Sequence, residues 1–230
     1  MIKKIILKVI EFLGYKIIRL QPIINDAVEY NSKDSANKFY QSSNSVINYY
    51  SKQRIKSYEE ILSFLDNLEI TKDNKILDAG CGPGRFTNFI YEKTKAKKIV
   101  GSDFSPIAIS IAKKNYPHIV FVEANLEDDS TEKYDLIFCL SVLEHLEYPE
   151  KTLNQLLKQL KTNGKLIITI PNGRIDSFEG HINFWSKESW NIFLLKNAKN
   201  LNWEIHNLQN KQDLLTILTF KNTKLNESNN

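Results

Sequence analysis

Apolar residues along this chain keep two different periods. Over residues 2–20 they recur at three- and four-residue steps (Ile2, Ile5, Ile6, Val9, Ile10, Leu13, Ile17), and over 46–68 they do so again (Ile55, Tyr58, Ile61, Leu62, Leu65, Leu68). Both patterns predict amphipathic helices. From residue 75 onward, short apolar runs alternate with helical stretches. This predicts strands at 75–79, 98–102, 119–123, 134–140 and 165–170, with helices at 85–93, 105–115 and 149–160 between them. Such alternation is the sequence form of a parallel sheet with helices on both faces. Ser105 before Pro106 and the proline at 149 are helix-start signals. A helix over 186–197 and strands over 203–208 and 214–220 complete the body. The expected organisation is an amphipathic helix (1–24), a polar connector with room for a short helix (25–45), one α/β domain (46–221) and a frayed tail (222–230).

Composition adds that the chain can bury a sizeable core, with 42% apolar and 25% charged residues in 230. The net charge of +4 resides in residues 1–20, where Lys3, Lys4, Lys8, Lys16 and Arg19 face Glu11 alone. The rest is balanced, so no nucleic-acid partner is expected. Lys8 and Glu11 interrupt what would be the apolar core of a secretion signal. A membrane span is disfavoured as well, because each such charge costs roughly 2.5–3.5 kcal/mol near the bilayer centre. Two cysteines, Cys81 and Cys139, without metal-ligand spacing fit a reducing cytoplasmic compartment. The basic helix packs on the body or on a second subunit in one reading. In the other it lies peripherally on the anionic inner face of a membrane. The oligomeric state is not legible.

The strongest local feature is Ile76-Leu77-Asp78-Ala79-Gly80-Cys81-Gly82-Pro83-Gly84-Arg85-Phe86, a strand entering three alternating glycines and then a helix. Glycines let the backbone turn tightly and approach a ligand. The spacing GxGxG departs from the GxGxxG dinucleotide fingerprint, which disfavours a dehydrogenase, and no GK[ST] follows as a phosphate-binding loop would require. Asp103 ends the next strand, where a carboxylate accepts hydrogen bonds from ribose hydroxyls; helix capping is the plainer role. Phe104 beside it can cover an adenine face.

Together with VGSDFSP, FVEANLED, YDLIFCLSVLEHL and LKTNGKLIITIPN, in this order, the loop resembles the class I S-adenosylmethionine-dependent methyltransferases over residues 46–220. The resemblance implies a Rossmann-like three-layer α/β sandwich whose seven-stranded, mostly parallel sheet has an antiparallel last strand. It implies S-adenosyl-L-methionine as cofactor, with Gly80, Cys81, Gly82 and Gly84 against its methionine and ribose parts and Asp78 holding the amino group. Asp103 would take the ribose hydroxyls, and Asn125 and Leu126 the adenine edge. Leu140 and Ser141 would place backbone near the sulfonium. A non-catalytic, cofactor-binding scaffold is the alternative.

His145, in Leu143-Glu144-His145-Leu146, and His181, in a loop of about fifteen residues after the fifth strand, are the candidate catalytic bases. Each has a plainer role in ordering its loop. The first segment is similar to quinone O-methyltransferases and the second to enzymes that decorate glycans and natural products. These branches imply an O-directed enzyme acting on a small-molecule or lipid-linked acceptor, such as a glycan precursor or an isoprenoid quinone. The metal-assisted quinone enzymes carry an acidic residue where this chain has Ser141, so no metal is expected. Phe184, Trp185 and Trp190 are aromatic enough for an acceptor pocket or for core. Arg54 with Tyr49 or Tyr50 could close over the cofactor carboxylate or stay at the surface.

Overall fold

The computed structural model describes residues 31–41, 51–65, 70–208 and 211–221. The 1–24 helix, parts of the 25–45 connector, Tyr49, Tyr50 and the 222–230 tail lie outside the described residues. Two helices come first, α1 (Lys33–Gln41), which is the short helix of the connector, and α2 (Lys52–Ser63). There follow β1 (Lys75–Ala79), α3 (Arg85–Thr94), β2 (Lys98–Asp103), α4 (Pro106–Asn115), β3 (Val120–Glu123) and β4 (Tyr134–Leu140). After a 3₁₀ turn (Leu143–His145) come α5 (Pro149–Gln159), β5 (Leu160–Pro171), α6 (Lys187–Asn197), β6 (Leu201–Leu208) and β7 (Asp213–Phe220).

The seven strands form one sheet in the order β3-β2-β1-β4-β5-β7-β6. Neighbours from β3 through β5 pair in parallel, and β7 runs antiparallel between β5 and β6. This is the expected seven-stranded α/β sandwich with its last strand reversed. Successive strand side chains point to opposite faces, and the core divides accordingly. Ile76, Ile99, Leu136 and Phe138 pack with Tyr58 and Ile61 of α2, Phe86 and Ile90 of α3, and Ile109 of α4. On the other face, Leu77, Ile137, Leu166 and Ile168 pack with Leu153 and Leu156 of α5 and with Trp190 and Leu194 of α6.

Local chemistry sets the element ends. Ser105 caps α4 through its hydroxyl on the Ala108 N–H, and Ser186 caps α6 on the Ser189 N–H, each such cap contributing about 1 kcal/mol. Some boundaries differ from expectation: β6 begins at Leu201 rather than at 203, and α2 ends at Ser63, short of 68. β5 begins at Leu160, which pairs with Tyr134 across a register shift, so the polar run Lys161-Thr162-Asn163-Gly164 is strand rather than turn. Trp190 is core: it is fully buried, stacks on Phe193 and donates its indole N–H to Thr216 Oγ1. Among the described residues no helix is long and apolar enough to cross a membrane.

Candidate cofactor and acceptor site

The switch in strand order falls between β1 and β4, at the carboxyl edge of the sheet, where open α/β sheets hold ligands. The glycine loop leaves β1 there. Gly80 has φ 77° and Gly84 φ 79°, a backbone conformation in which side chains are strained. A Cβ on Gly80 would sit 2.4 Å from Val142 Cγ2, and one on Gly84 2.7 Å from the Phe121 ring. The loop is tied to β2 by the Gly80 and Cys81 N–H groups, both donating to Ser102 O.

Asp103 braces the same loop from the side. Its Oδ2 accepts the Gly82 N–H and its Oδ1 the Ser105 N–H, both at 2.9 Å. The Phe104 N–H also acts on this carboxylate, which leaves one of its roughly four lone-pair sites for a ligand hydroxyl. Burial raises the Asp103 carboxyl above its ordinary range, and the N–H groups of Ser105 and Gly82 oppose that rise. Asp78 is more deeply buried and is pushed up to about 7 by desolvation, although the Thr87 hydroxyl donates to it at 2.6 Å. Burial and the adjacent carboxylates also raise the Cys81 thiol, which makes it a poor nucleophile.

A cavity of about 680 Å³ opens beside this edge. Phe104, 37% exposed, and Asn125 line one end. Asn125 Oδ1 is engaged by the Glu127 N–H, and Leu126 packs on the second core face. Asn31, His145, Leu146, Glu147 and Ile182 line the other end. Leu140 closes β4, and Ser141 follows with φ 53°, its N–H held by Thr169.

The 3₁₀ turn and the 172–186 loop are sewn together: Glu144 O accepts the N–H groups of Ile182 and Asn183, and Asn183 Nδ2 donates to Leu146 O. His145 and His181 thereby meet, their ring centroids 4.6 Å apart. His145 Nδ1 faces two acceptors, Asn31 Oδ1 at 2.9 Å and Gly180 O at 3.1 Å. It therefore carries the proton, and Nε2 carries the lone pair. Burial, then the His181 ring, lowers the His145 pKa to about 4, so this imidazole is neutral at physiological pH. His181 Nδ1 donates to Asp176 Oδ2 at 2.6 Å. Beside both rings lies Glu144, 0% exposed, with neither carboxylate oxygen partnered by another residue. Burial pushes it up to about 8; Asp213 and Asp176 add to the rise and Arg54 opposes it.

The structure thus gathers the candidate residues into one edge. It adds four that sequence reasoning did not single out: Asn31, Lys33, Glu144 and Asp176. Helix α1 packs against α4, and Lys33 at its start lines the cavity. Its Asn37 Oδ1 accepts the Ser105 hydroxyl, and Lys33 pairs with Glu123.

Residues 50–214 match a family model described as a methyltransferase domain. The chain belongs to this methyltransferase family. The class I S-adenosylmethionine-dependent resemblance read from the motifs therefore holds at the level of family and fold. A putative methyltransferase, 235L, of Invertebrate iridescent virus 6 is 26% identical over 147 residues, 64% of this chain and 56% of that protein. Trans-aconitate 2-methyltransferase of Escherichia coli O7:K1 is 31% identical over 113 residues, 49% of this chain and 43% of that one. The chain spans about half the length of the curated relatives it matches. Among solved structures, the N-methyltransferase NodS of Bradyrhizobium japonicum, in complex with S-adenosyl-L-homocysteine, superposes with a TM-score of 0.66. It is 19% identical, and the match covers 83% of this chain and 98% of that one. The plantazolicin methyltransferase BpumL, also bound to that product, gives 0.62 at 16% identity, covering 87% and 100%. These two likenesses establish the fold.

Proposed function

We propose that this protein is an S-adenosylmethionine-dependent methyltransferase acting on a small-molecule acceptor. The observation that carries the reading is Asp103: a buried carboxylate at the tip of β2 that braces the glycine loop and keeps acceptor capacity for a ribose hydroxyl. The residues present fit the cofactor. The backbone at Gly80 leaves no room for a side chain, and Asp78 stands behind the loop where an amino group would lie. Phe104 and Asn125 border the cavity at the adenine end. When bound, the cofactor supplies an activated methyl on a sulfonium.

The chain's own residues supply position and a proton path. Positioning in a closed site contributes on the order of 7–11 kcal/mol in the best intramolecular cases. Asn31, Lys33 and Ile182 of the 172–186 loop form part of the cavity wall. The lone pair on His145 Nε2 offers a proton acceptor at the cavity wall, and the Asp176 hydrogen bond fixes the His181 ring. The expectation of an oxygen nucleophile rests on branch resemblance alone. The relatives named for trans-aconitate act, by that name, on a carboxylate-bearing acceptor. Carried to this chain, such an acceptor would meet Glu123, Glu127, Asp128 and Glu147 on the cavity wall, with Lys33 as the single lysine or arginine among the lining residues.

Calorimetry with S-adenosyl-L-homocysteine tests the reading: binding to the native chain is expected, and its loss in Asp103→Ala. Absence of binding to folded native protein would sink the proposal. In turnover assays His145→Ala and His181→Ala are expected to lower methyl transfer while leaving product affinity within about twofold, because neither ring touches the glycine loop or Asp103.

A further inference from the structure

The cavity lining is acidic, and its charge is unbalanced. Four carboxylates stand on the wall, and Lys33, the single lysine or arginine among the lining residues, is taken by Glu123; Glu127, Asp128 and Glu147 have no such cation beside them in the lining. Behind the wall stands Glu144, which shares a cluster with His145 and His181 whose ligand atoms all lie within 4.8 Å of one another. Asp176 holds His181 from the far side. Asp213 and Asp176 are the acidic groups whose charges act on Glu144, Arg54 is the opposing cation, and Cys139 faces it from β4.

A wholly buried carboxyl with no partner is costly, and such a group in a native fold calls for a specific role. Glu144 also has the right neighbour to be completed through the cavity: His145 lines the wall, and its ring nitrogen with the free lone pair is an acceptor for a donor N–H. An anionic acceptor would enter against Glu147 and Glu144. A neutral hydroxyl would leave Glu144 protonated and bring no charge to Glu147. A protonated amine supplies both a donor for His145 and a positive charge for the two acids.

We propose that the acceptor carries a primary or secondary amine, which enters as an ammonium ion and seats at the wall formed by His145 and Glu147, with the Glu144 carboxyl behind them. This deepens the methyltransferase reading and rests on it. Seating the cation favours the ionised form of Glu144, so a proton leaves the carboxyl as the ligand binds. Before methyl transfer the ammonium must lose one proton to free its nitrogen lone pair. His145 Nε2, whose lone pair lies at the wall, takes it: an N–H bond of the ammonium breaks, an Nε2–H bond forms, and the resulting imidazolium stands beside the ionised Glu144.

The test uses the full chain saturated with S-adenosyl-L-homocysteine, and three matched probe pairs: glucosamine against glucose, ethanolamine against ethylene glycol, and benzylamine against benzyl alcohol. Tricarballylate and Mn²⁺ serve as separate probes. Calorimetry at neutral pH, in two buffers of different ionisation enthalpy, reads affinity and proton release together. The expected result is that the amine of each pair binds about tenfold or more tightly than its alcohol, the size of one charge-assisted hydrogen bond. That preference should shrink in Glu147→Gln, and proton release should vanish in Glu144→Gln. Equal binding of amine and alcohol across the three pairs overturns the proposal. So does tighter binding of tricarballylate, or stoichiometric Mn²⁺ binding that Glu144→Gln abolishes, which would make the cluster a metal site. Affinity for S-adenosyl-L-homocysteine, measured in the same samples, separates the two levels. If it holds while the amine preference is absent, the acceptor inference alone fails; if it is absent too, the methyltransferase reading fails with it.

Discussion

Replacing Glu144 by glutamine should make the protein less sensitive to alkaline pH. In the fold the carboxyl holds its proton up to about 8, against an ordinary value of 4.5. Between those values the folded chain binds a proton that the unfolded chain has released. Stability from this residue is therefore complete below pH 4.5 and is lost as pH rises towards 8, by about 1.4 kcal/mol per pH unit. Between pH 5 and pH 8 the native chain should lose about 3–4 kcal/mol through Glu144 alone. The Glu144→Gln chain should lose none of that part. Asp78, pushed up to about 7, adds a loss of the same sign, but it is common to both proteins and cancels in the comparison. A glutamine amide at this position still lacks partners, which costs about 1–3 kcal/mol independent of pH. The decisive quantity is thus the difference between the two pH values and not the stability at either one. Urea denaturation of both proteins, without ligand, at pH 5 and pH 8 measures it. A pH-dependent loss equal in the two chains to within about 1 kcal/mol would refute the burial argument, and with it the idea that Glu144 stands uncompensated.

Gly80→Ala should destabilise the fold by about 1–3 kcal/mol, since it combines a left-handed φ with a 2.4 Å approach to Val142. Thermal melts should show that Val142→Ala in the same chain recovers the steric part and leaves the backbone part. Ser105→Ala removes both the α4 cap and the hydrogen bond to Asn37. It should cost about 1 kcal/mol and, by hydrogen exchange, deprotect α1 before the sheet. The basic pattern of residues 1–20 predicts peripheral binding to an anionic membrane surface. Co-sedimentation with anionic vesicles should fall when those residues are removed, and equal binding by both forms would return the segment to a packing role.

Much of this architecture is legible in the sequence because strand and helix periods are local properties. The strands at 75–79 and 134–140 fall where the apolar runs predict them, and the reversed β7 follows from the family resemblance. The start of β5 is hidden because Lys161-Thr162-Asn163-Gly164 has turn composition, and only pairing of Leu160 with Tyr134 draws it into the sheet. The cofactor side of the site is equally legible, since glycine spacing and a strand-end aspartate are features of contiguous chain. The acceptor side is not. Asn31 meets His145 across 114 positions and Gly180 across 149, contacts for which no local pattern exists. Glu144 reads in sequence as a charged neighbour of a histidine. It becomes chemically important only because the 3₁₀ turn and the 172–186 loop close over it and remove it from water. The same closure brings Asp176 to His181 and sets a neutral His145 between the buried acid and the cavity. The fold thus makes an ordinary surface residue type into a buried proton-holding group beside the cavity wall, and under the proposal of an amine acceptor this coupling of burial to position ties the ligand's charge to the identity of residue 144.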